Sequence, residues 1–356
     1  MRTDERKKVK GKIIQLPEGN VTVLKESEPM MVMVKQSQLV ERMDPGFWDP
    51  RWHREIFSIL QQCSYPVKEL GEFILPGTEG ITYGSTRPRE WSRPGQGVRY
   101  IKCAHVLRTG LDEPNLSWTP EGGNLDGLQY RTVQGDIIIN KSGVGTAGRC
   151  TVVHKDFGKM VVSQDTMRVR VQDLKPEFVN LYLQSKFGVK QYERWTAGVG
   201  TVHIDFHEVK SIHIPVLHFQ EQIASEYHRM ASYHDLAMAA KAANNFTQAE
   251  LYLQVAEGML ETLIAQVEWL IEGKQRTVTP LIPDNAPKSL QDAFTEQYRL
   301  IGKTIQRAER ENWEGVEKIY GMRIYANPII RDAIRRLLEQ VEEVMAGKRK
   351  NVDPVL

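Results

Sequence analysis

The residues of this 356-residue chain that could do chemistry lie in short, polar, glycine-rich loops. One runs Gly80-Ile81-Thr82-Tyr83-Gly84-Ser85-Thr86-Arg87-Pro88-Arg89 and continues through Trp91 and Arg93, interleaving cations, hydroxyls and aromatics. A second, Lys141-Ser142-Gly143-Val144-Gly145-Thr146-Ala147-Gly148-Arg149, follows the β-type run Asp136-Ile137-Ile138-Ile139-Asn140. A third, Ala197-Gly198-Val199-Gly200-Thr201, closes a basic, aromatic helix that carries Lys190 and Arg194, and leads on to His203. Glycine turns let the backbone approach an anion closely, and Lys, Arg, Ser and Thr side chains can meet phosphate oxygens. Loops held between rigid elements are where binding residues concentrate. Plain structural turns also account for each loop, so the residues alone leave both readings open.

Other chemistries fit the spacing less well. Gly143, Gly145 and Gly148 form a GxGxxG, but a strand is expected to follow rather than a helix, and no Gly-Lys-Ser/Thr ends the loop. His203 and His207 are four apart; the alternation around them suggests extended chain, which places their side chains ~13 Å apart. A third metal ligand is not evident, and no metal site is expected. Asp44, Asp49 and Glu55 read as turn and cap residues, and Ser142 and Ser163 lack a catalytic partner. Asp136 to Lys141 has no acid-x-Lys element of the kind metal-dependent nucleases use. The pattern favours recognition over transformation, with no catalytic residue and no cofactor expected.

Composition sets outer bounds. Hydrophobic content of 41% and charged content of 26% are ordinary for a folded protein. The net charge of +2 neither demands nor excludes nucleic acid, so any basic footprint must be local. Three isolated cysteines, Cys63, Cys103 and Cys150, argue against a disulfide framework or a zinc ribbon. The basic N-terminus is followed by no apolar core, and no run of ~18 apolar residues occurs. A cytoplasmic protein that does not span a membrane is expected.

The elements that must position the loops fall into successive regions. Residues 1–40 read as an N-terminal arm with short extended pieces. Residues 41–217 read as an irregular β-rich domain. It contains a helix over Arg51–Gln61, short strands at Val67–Leu70, Val98–Ile101, Asp136–Asn140, Cys150–His154 and Met167–Val171, a helix over Pro176–Trp195, and a strand over Val209–Val216. Residues 218–275 carry long helices. After a polar break at Asn244-Asn245, Phe246, Ala249, Leu253, Ala256, Leu260, Leu263, Val267 and Leu270 recur at alternate steps of three and four, a coiled-coil-type seam. Residues 276–289 form a Pro-rich linker. Residues 290–356 read as a helical region broken near Pro328, with a frayed basic tail at Lys348-Arg349-Lys350. The expected fold class is α+β.

The order of motifs from Leu39 to Val267 resembles a target recognition domain of type I restriction–modification specificity subunits, with its trailing helix. Arg42-Met43-Asp44-Pro45-Gly46-Phe47-Trp48-Asp49-Pro50 is similar to that family's opening Arg-Leu-Asp-Pro-x-Tyr-Tyr-Asp-Pro pattern. Val67-Lys68-Glu69-Leu70-Gly71 resembles its Val-Lys-Leu-Gly-Asp strand, with an added Glu. Val98-Arg99-Tyr100-Ile101-Lys102 is similar to its Val-Pro-Tyr-Ile-Arg strand. Residues 135–153 resemble its Gly-Asp-Ile-Leu-Ile-Ser-x-Ser-Gly…Gly-Arg core, and Ser163-Gln164-Asp165-Thr166 stands where it reads Ser-x-x-Leu. Phe187-Gly188-Val189-Lys190-Gln191 and Ile214-Pro215-Val216 match its closing helix and strand.

The resemblance implies a non-catalytic subunit that reads double-stranded DNA and directs a methyltransferase subunit, and in complete systems a motor-nuclease subunit. The residues it points to are Tyr83, Ser85, Thr86, Arg87, Arg89, Lys102, Lys141, Ser142, Arg149, Gln164, Lys190, Arg194, Thr201 and His203. The family pattern does not fix which of them touch bases. A typical member has two recognition domains, whereas this chain has one. That leaves two expectations open: a half-subunit that pairs with a second copy through the helices, or a part of another phage-defence complex. The competing class is a helical scaffold that reads no DNA sequence.

Overall fold

The computed structural model describes residues 11–25, 31–39, 44–86, 88, 90–122, 130–143, 145–196 and 202–356. Three antiparallel strands come first among the described residues: β1 (Lys12–Leu16), β2 (Gly19–Lys25) and β3 (Met31–Val34). The first of them was not anticipated. A helical stretch follows, with a π turn at His53–Phe57 that runs into α1 (Ser58–Gln62). It buries Trp52, Ile56 and Leu60 on one face, as their spacing predicts.

The centre holds β4 (Val67–Glu69), the single turn α2 (Gly77–Gly80), β5 (Ile81–Tyr83), β6 (Val98–Ile101), β7 (Ser117–Thr119), β8 (Arg131–Thr132), β9 (Ile137–Asn140), β10 (Cys150–Val152), β11 (Met160–Val162) and β12 (Thr166–Val169). Strands β5 to β12 form two four-stranded sheets, ordered β10-β9-β12-β5 and β7-β6-β11-β8; among the described strand pairs of these sheets only β6 and β11 run in parallel. The sheets are packed on both faces, so the strands read as apolar runs rather than alternations. Ile137 and Ile139 of β9 enter the main core, while Ile138 turns to a second core with Ile101, Val153 and Val162. Each fully buried side chain of this kind contributes about 1.5–3 kcal/mol. The sheets meet where Gly84 passes Val162: a Cβ there would lie 2.1 Å from the Val162 carbonyl oxygen, so the crossing requires glycine.

The stretch expected as one helix over 176–195 is two, α3 (Pro176–Gln184) and α4 (Lys186–Thr196), parted at extended Ser185. The expected strand over 209–216 is instead α5 (Phe206–Lys210) followed by β13 (His213–Pro215), which pairs with β4. A capping box explains the difference. Asp205 accepts from the Phe206 N–H at 2.8 Å, and Glu208 reaches back to the Asp205 N–H at 2.9 Å.

The long helical run folds back on itself as α6 (Gln220–Ala242) and α7 (Phe246–Ile271). Asn244 takes a left-handed conformation (φ 57°), and Asn245 caps α7 by accepting from the Gln248 N–H at 3.2 Å. The C-terminal region, expected as helix broken near Pro328, is α8 (Lys288–Arg310), a hairpin of β14 (Val316–Ile319) and β15 (Met322–Tyr325), and α9 (Pro328–Met345). Its hairpin turn holds Tyr320 at φ 54° beside Gly321. From Ala256 on, the seam of α7 is covered within the chain by α6, α8 and α9, with Ala256, Leu260, Leu263, Val267 and Leu270 buried; its first residue, Phe246, stays exposed. Gly258 and Gly302 let α7 and α8 touch backbone to backbone; a Cβ on Gly258 would lie 2.0 Å from the Tyr298 carbonyl oxygen.

The Pro-rich stretch lies against this bundle, with the Leu281 N–H donating to Glu226 Oε2 at 2.8 Å and the Tyr298 hydroxyl donating to the Leu281 carbonyl at 2.7 Å. The basic tail is docked rather than frayed. Arg349 pairs with Glu343 and Asp353 at 2.6 Å each, and Val355 is buried. The fold class is α+β. No described helix is long and apolar enough to cross a membrane.

Candidate nucleic-acid interface

Five polar segments meet beyond the ends of the central strands. Tyr83, Gly84, Ser85 and Thr86 leave β5; Lys102 and Cys103 leave β6; Lys141 and Ser142 leave β9; Ser163, Gln164 and Asp165 turn from β11 to β12; and 202–205 lead into α5. Backbone bonds join them. The Lys141 N–H donates to the Asp165 carbonyl and the Ile204 N–H to the Lys141 carbonyl, both at 2.9 Å. The Ser85 N–H donates to the Val162 carbonyl, and the Ser163 N–H to the Ile101 carbonyl, also at 2.9 Å. Buried Asn140 ties the β6 and β9 ends by donating from Nδ2 to the Cys103 carbonyl at 3.0 Å. The Cys103 thiol donates to the Asp165 carbonyl at 3.1 Å. Burial and the nearby Asp165 charge push that thiol up to about 11, so it acts as a protonated donor.

Two lysines stand over aromatic faces on this surface. Lys141 Nζ lies 4.1 Å from the centre of the Tyr83 ring, and Tyr83 stacks on Phe206 at 4.0 Å. Lys102 Nζ lies 4.2 Å from the centre of the exposed Trp91 ring, which meets Tyr100 edge-on. Neither lysine has a carboxylate partner among the described residues. Each aromatic face therefore holds a cation in place without neutralising it, which leaves the charge free for an anion. Thr86, Gln164 and His203 are exposed, and Ser142 is half-buried.

The structure removes four of the expected residues from this surface. Ser85 is buried, and its carbonyl accepts from the Tyr100 hydroxyl at 3.1 Å. Arg194 is 2% exposed; it forks onto Glu18 and donates to the Phe47 carbonyl at 3.1 Å, so it braces the N-terminal sheet. Lys190 is paired with Glu317 at 2.6 Å and Glu193 at 3.3 Å, which fastens α4 to β14. Arg149 turns to the C-terminal hairpin, lining a cavity of about 230 Å³ with Arg108, Glu257, Glu309 and Arg323. Burial, with Arg323 and Arg108 close by, lowers its pKa. Arg87, Arg89, Thr201 and the turn 197–200 lie outside the described residues.

His207 sits on α5, edge-on to Trp195, and not in the extended chain expected for it. No group of three His, Cys, Asp or Glu side chains that could hold a metal ion occurs among the described residues. Sequence reasoning passed over Asn140 and Phe206; their roles come from pairings across the fold that local spacing does not reveal.

No protein-family model matches the chain, and no curated protein matches it in sequence. Solved structures align with it, among them the following three. A structure concerned with complex assembly and conformational transition of the type I R-M system has 18% identity and a TM-score of 0.31, over 59% of this chain and 46% of that one. The HsdS subunit from Thermoanaerobacter tengcongensis has 14% identity and a TM-score of 0.32, over 61% and 50%. The type I restriction–modification S subunit from M. genitalium has 8% identity and a TM-score of 0.33, over 80% and 91%. The alignment thus spans about half the length of the first two. Likenesses at these scores carry no argument about activity.

Proposed function

We propose that this chain is a DNA-recognition subunit of the type I restriction–modification kind. It reads a specific duplex sequence and brings a DNA methyltransferase subunit, and with it a motor-nuclease subunit, to that site; it performs no catalytic step itself. The observation that carries the reading is the meeting of five polar strand-end segments, with Lys102 and Lys141 held over aromatic rings and unpaired with carboxylates. Such cations suit phosphates, while Gln164, Thr86, Ser142 and His203 can reach base edges. The order of sequence motifs over residues 39–267 supports the same reading. For the methyltransferase subunit, the α6–α7 hairpin offers exposed Leu236, Phe246 and Leu251 near its turn.

Selection from a random duplex pool at moderate salt tests the proposal. A reproducible consensus is expected, with affinity falling steeply as salt rises. Binding without sequence preference, or no retention of duplex, would leave the helical scaffold reading in its place.

A further inference from the structure

Asp165 stands exposed on the turn between β11 and β12, among the lysine-bearing segments. Its position is fixed on three sides. The Lys141 N–H and the Cys103 thiol donate to its carbonyl, and Ser142 Oγ donates to its carboxylate Oδ1 at 3.2 Å. No cation pairs with that carboxylate among the described residues, although the neighbouring strand end carries Lys141. An unpaired carboxylate beside the lysine-bearing strand ends repels phosphate, which disfavours a nucleic-acid backbone running directly over it. It only accepts hydrogen bonds, so its natural partner is an amino group.

The major groove offers two amino groups, adenine N6 and cytosine N4. Adenine's is flanked by acceptors on both sides, its own N7 and the thymine O4. Cytosine's is flanked by the guanine O6 on one side and a C–H on the other, which leaves room for the second carboxylate oxygen. We propose that Asp165 is a specificity-determining residue that accepts a hydrogen bond from cytosine N4 in the major groove, with Ser142 setting its rotamer. The assignment rests on the DNA-recognition reading above.

The test is duplex selection with the full chain in wild-type, Asp165→Asn and Asp165→Ala forms. The wild type is expected to require a C·G pair at one position. Asp165→Asn keeps an acceptor for Ser142 and should move that position toward adenine, which asparagine reads bidentately. Asp165→Ala should lose roughly tenfold discrimination there, with the other positions unchanged. Ser142→Ala, which keeps the carboxylate but frees its rotamer, should weaken the same preference. If the wild type selects a sequence and all three variants select it with equal discrimination, the Asp165 assignment is overturned and DNA recognition stands. If the wild type selects nothing, the recognition reading falls and takes this assignment with it.

Discussion

Lys141 and Arg194 are both cations near aromatic rings, yet the structure gives them different work. Lys141 has no carboxylate partner among the described residues; on the proposed reading, Lys141→Ala should weaken DNA binding and reduce the slope of log affinity against log salt by about one unit. An unchanged slope in a salt titration would remove Lys141 from the phosphate contacts. Arg194 satisfies Glu18 and the Phe47 carbonyl from inside the fold. Arg194→Met should cost about 2 kcal/mol in urea unfolding, because it removes charge-assisted hydrogen bonds from the half-buried Glu18 carboxylate and the Phe47 carbonyl, while the salt slope of DNA binding stays as it was. The sequence offers no means of separating these two residues, since each is a basic side chain near a glycine-rich turn. What divides them is Glu18, far away in the chain, and no local pattern announces that pairing. The placement of Lys141 at a strand end was legible because the apolar run 137–139 stops just before it, whereas Lys102 was named only through the family resemblance.

Among the elements, α7 carries the greatest load. Leu260 is fully buried against its neighbours, and Leu260→Ala should destabilise the chain by about 2–5 kcal/mol in chemical denaturation. The same helix holds a titrating group. Burial, with Glu309 and Glu250 nearby, pushes the Glu257 carboxyl up to about 7 against the pull of Arg108. In the unfolded chain it titrates near 4.5. Between those values the folded form keeps a proton that the unfolded form has lost, so this group's contribution to stability falls as pH rises from about 4.5 to 7. Glu257→Gln should therefore gain in melting temperature relative to wild type between pH 5 and pH 8; a constant difference would mean that Glu257 titrates normally. The α7 seam itself was plain from its steps of three and four. Its partners were not, because a heptad pattern says that a helix packs along its length but not against what. The hairpin of β14 and β15 was missed for a related reason: Val316 to Tyr325 alternates weakly, and flanking helical periodicity masks it.

At the scale of the whole molecule, the β-rich region and the C-terminal helices share one continuous hydrophobic core. With its seam covered from within over Ala256 to Leu270, the chain should be a monomer by light scattering at micromolar concentration in the absence of other subunits. A stable dimer would require a surface other than this seam. The Gly321 N–H donates to the Ala147 carbonyl at 3.0 Å, so the hairpin that follows α8 closes over the loop leaving β9. The two residues lie nearly half the chain apart. During synthesis the loop leaves the ribosome long before its cover exists. Bringing such distant segments together costs loop entropy that grows slowly with length, but contacts this remote delay the end of folding. Refolding from denaturant should accordingly restore helical circular dichroism first and duplex binding in a later, slower phase.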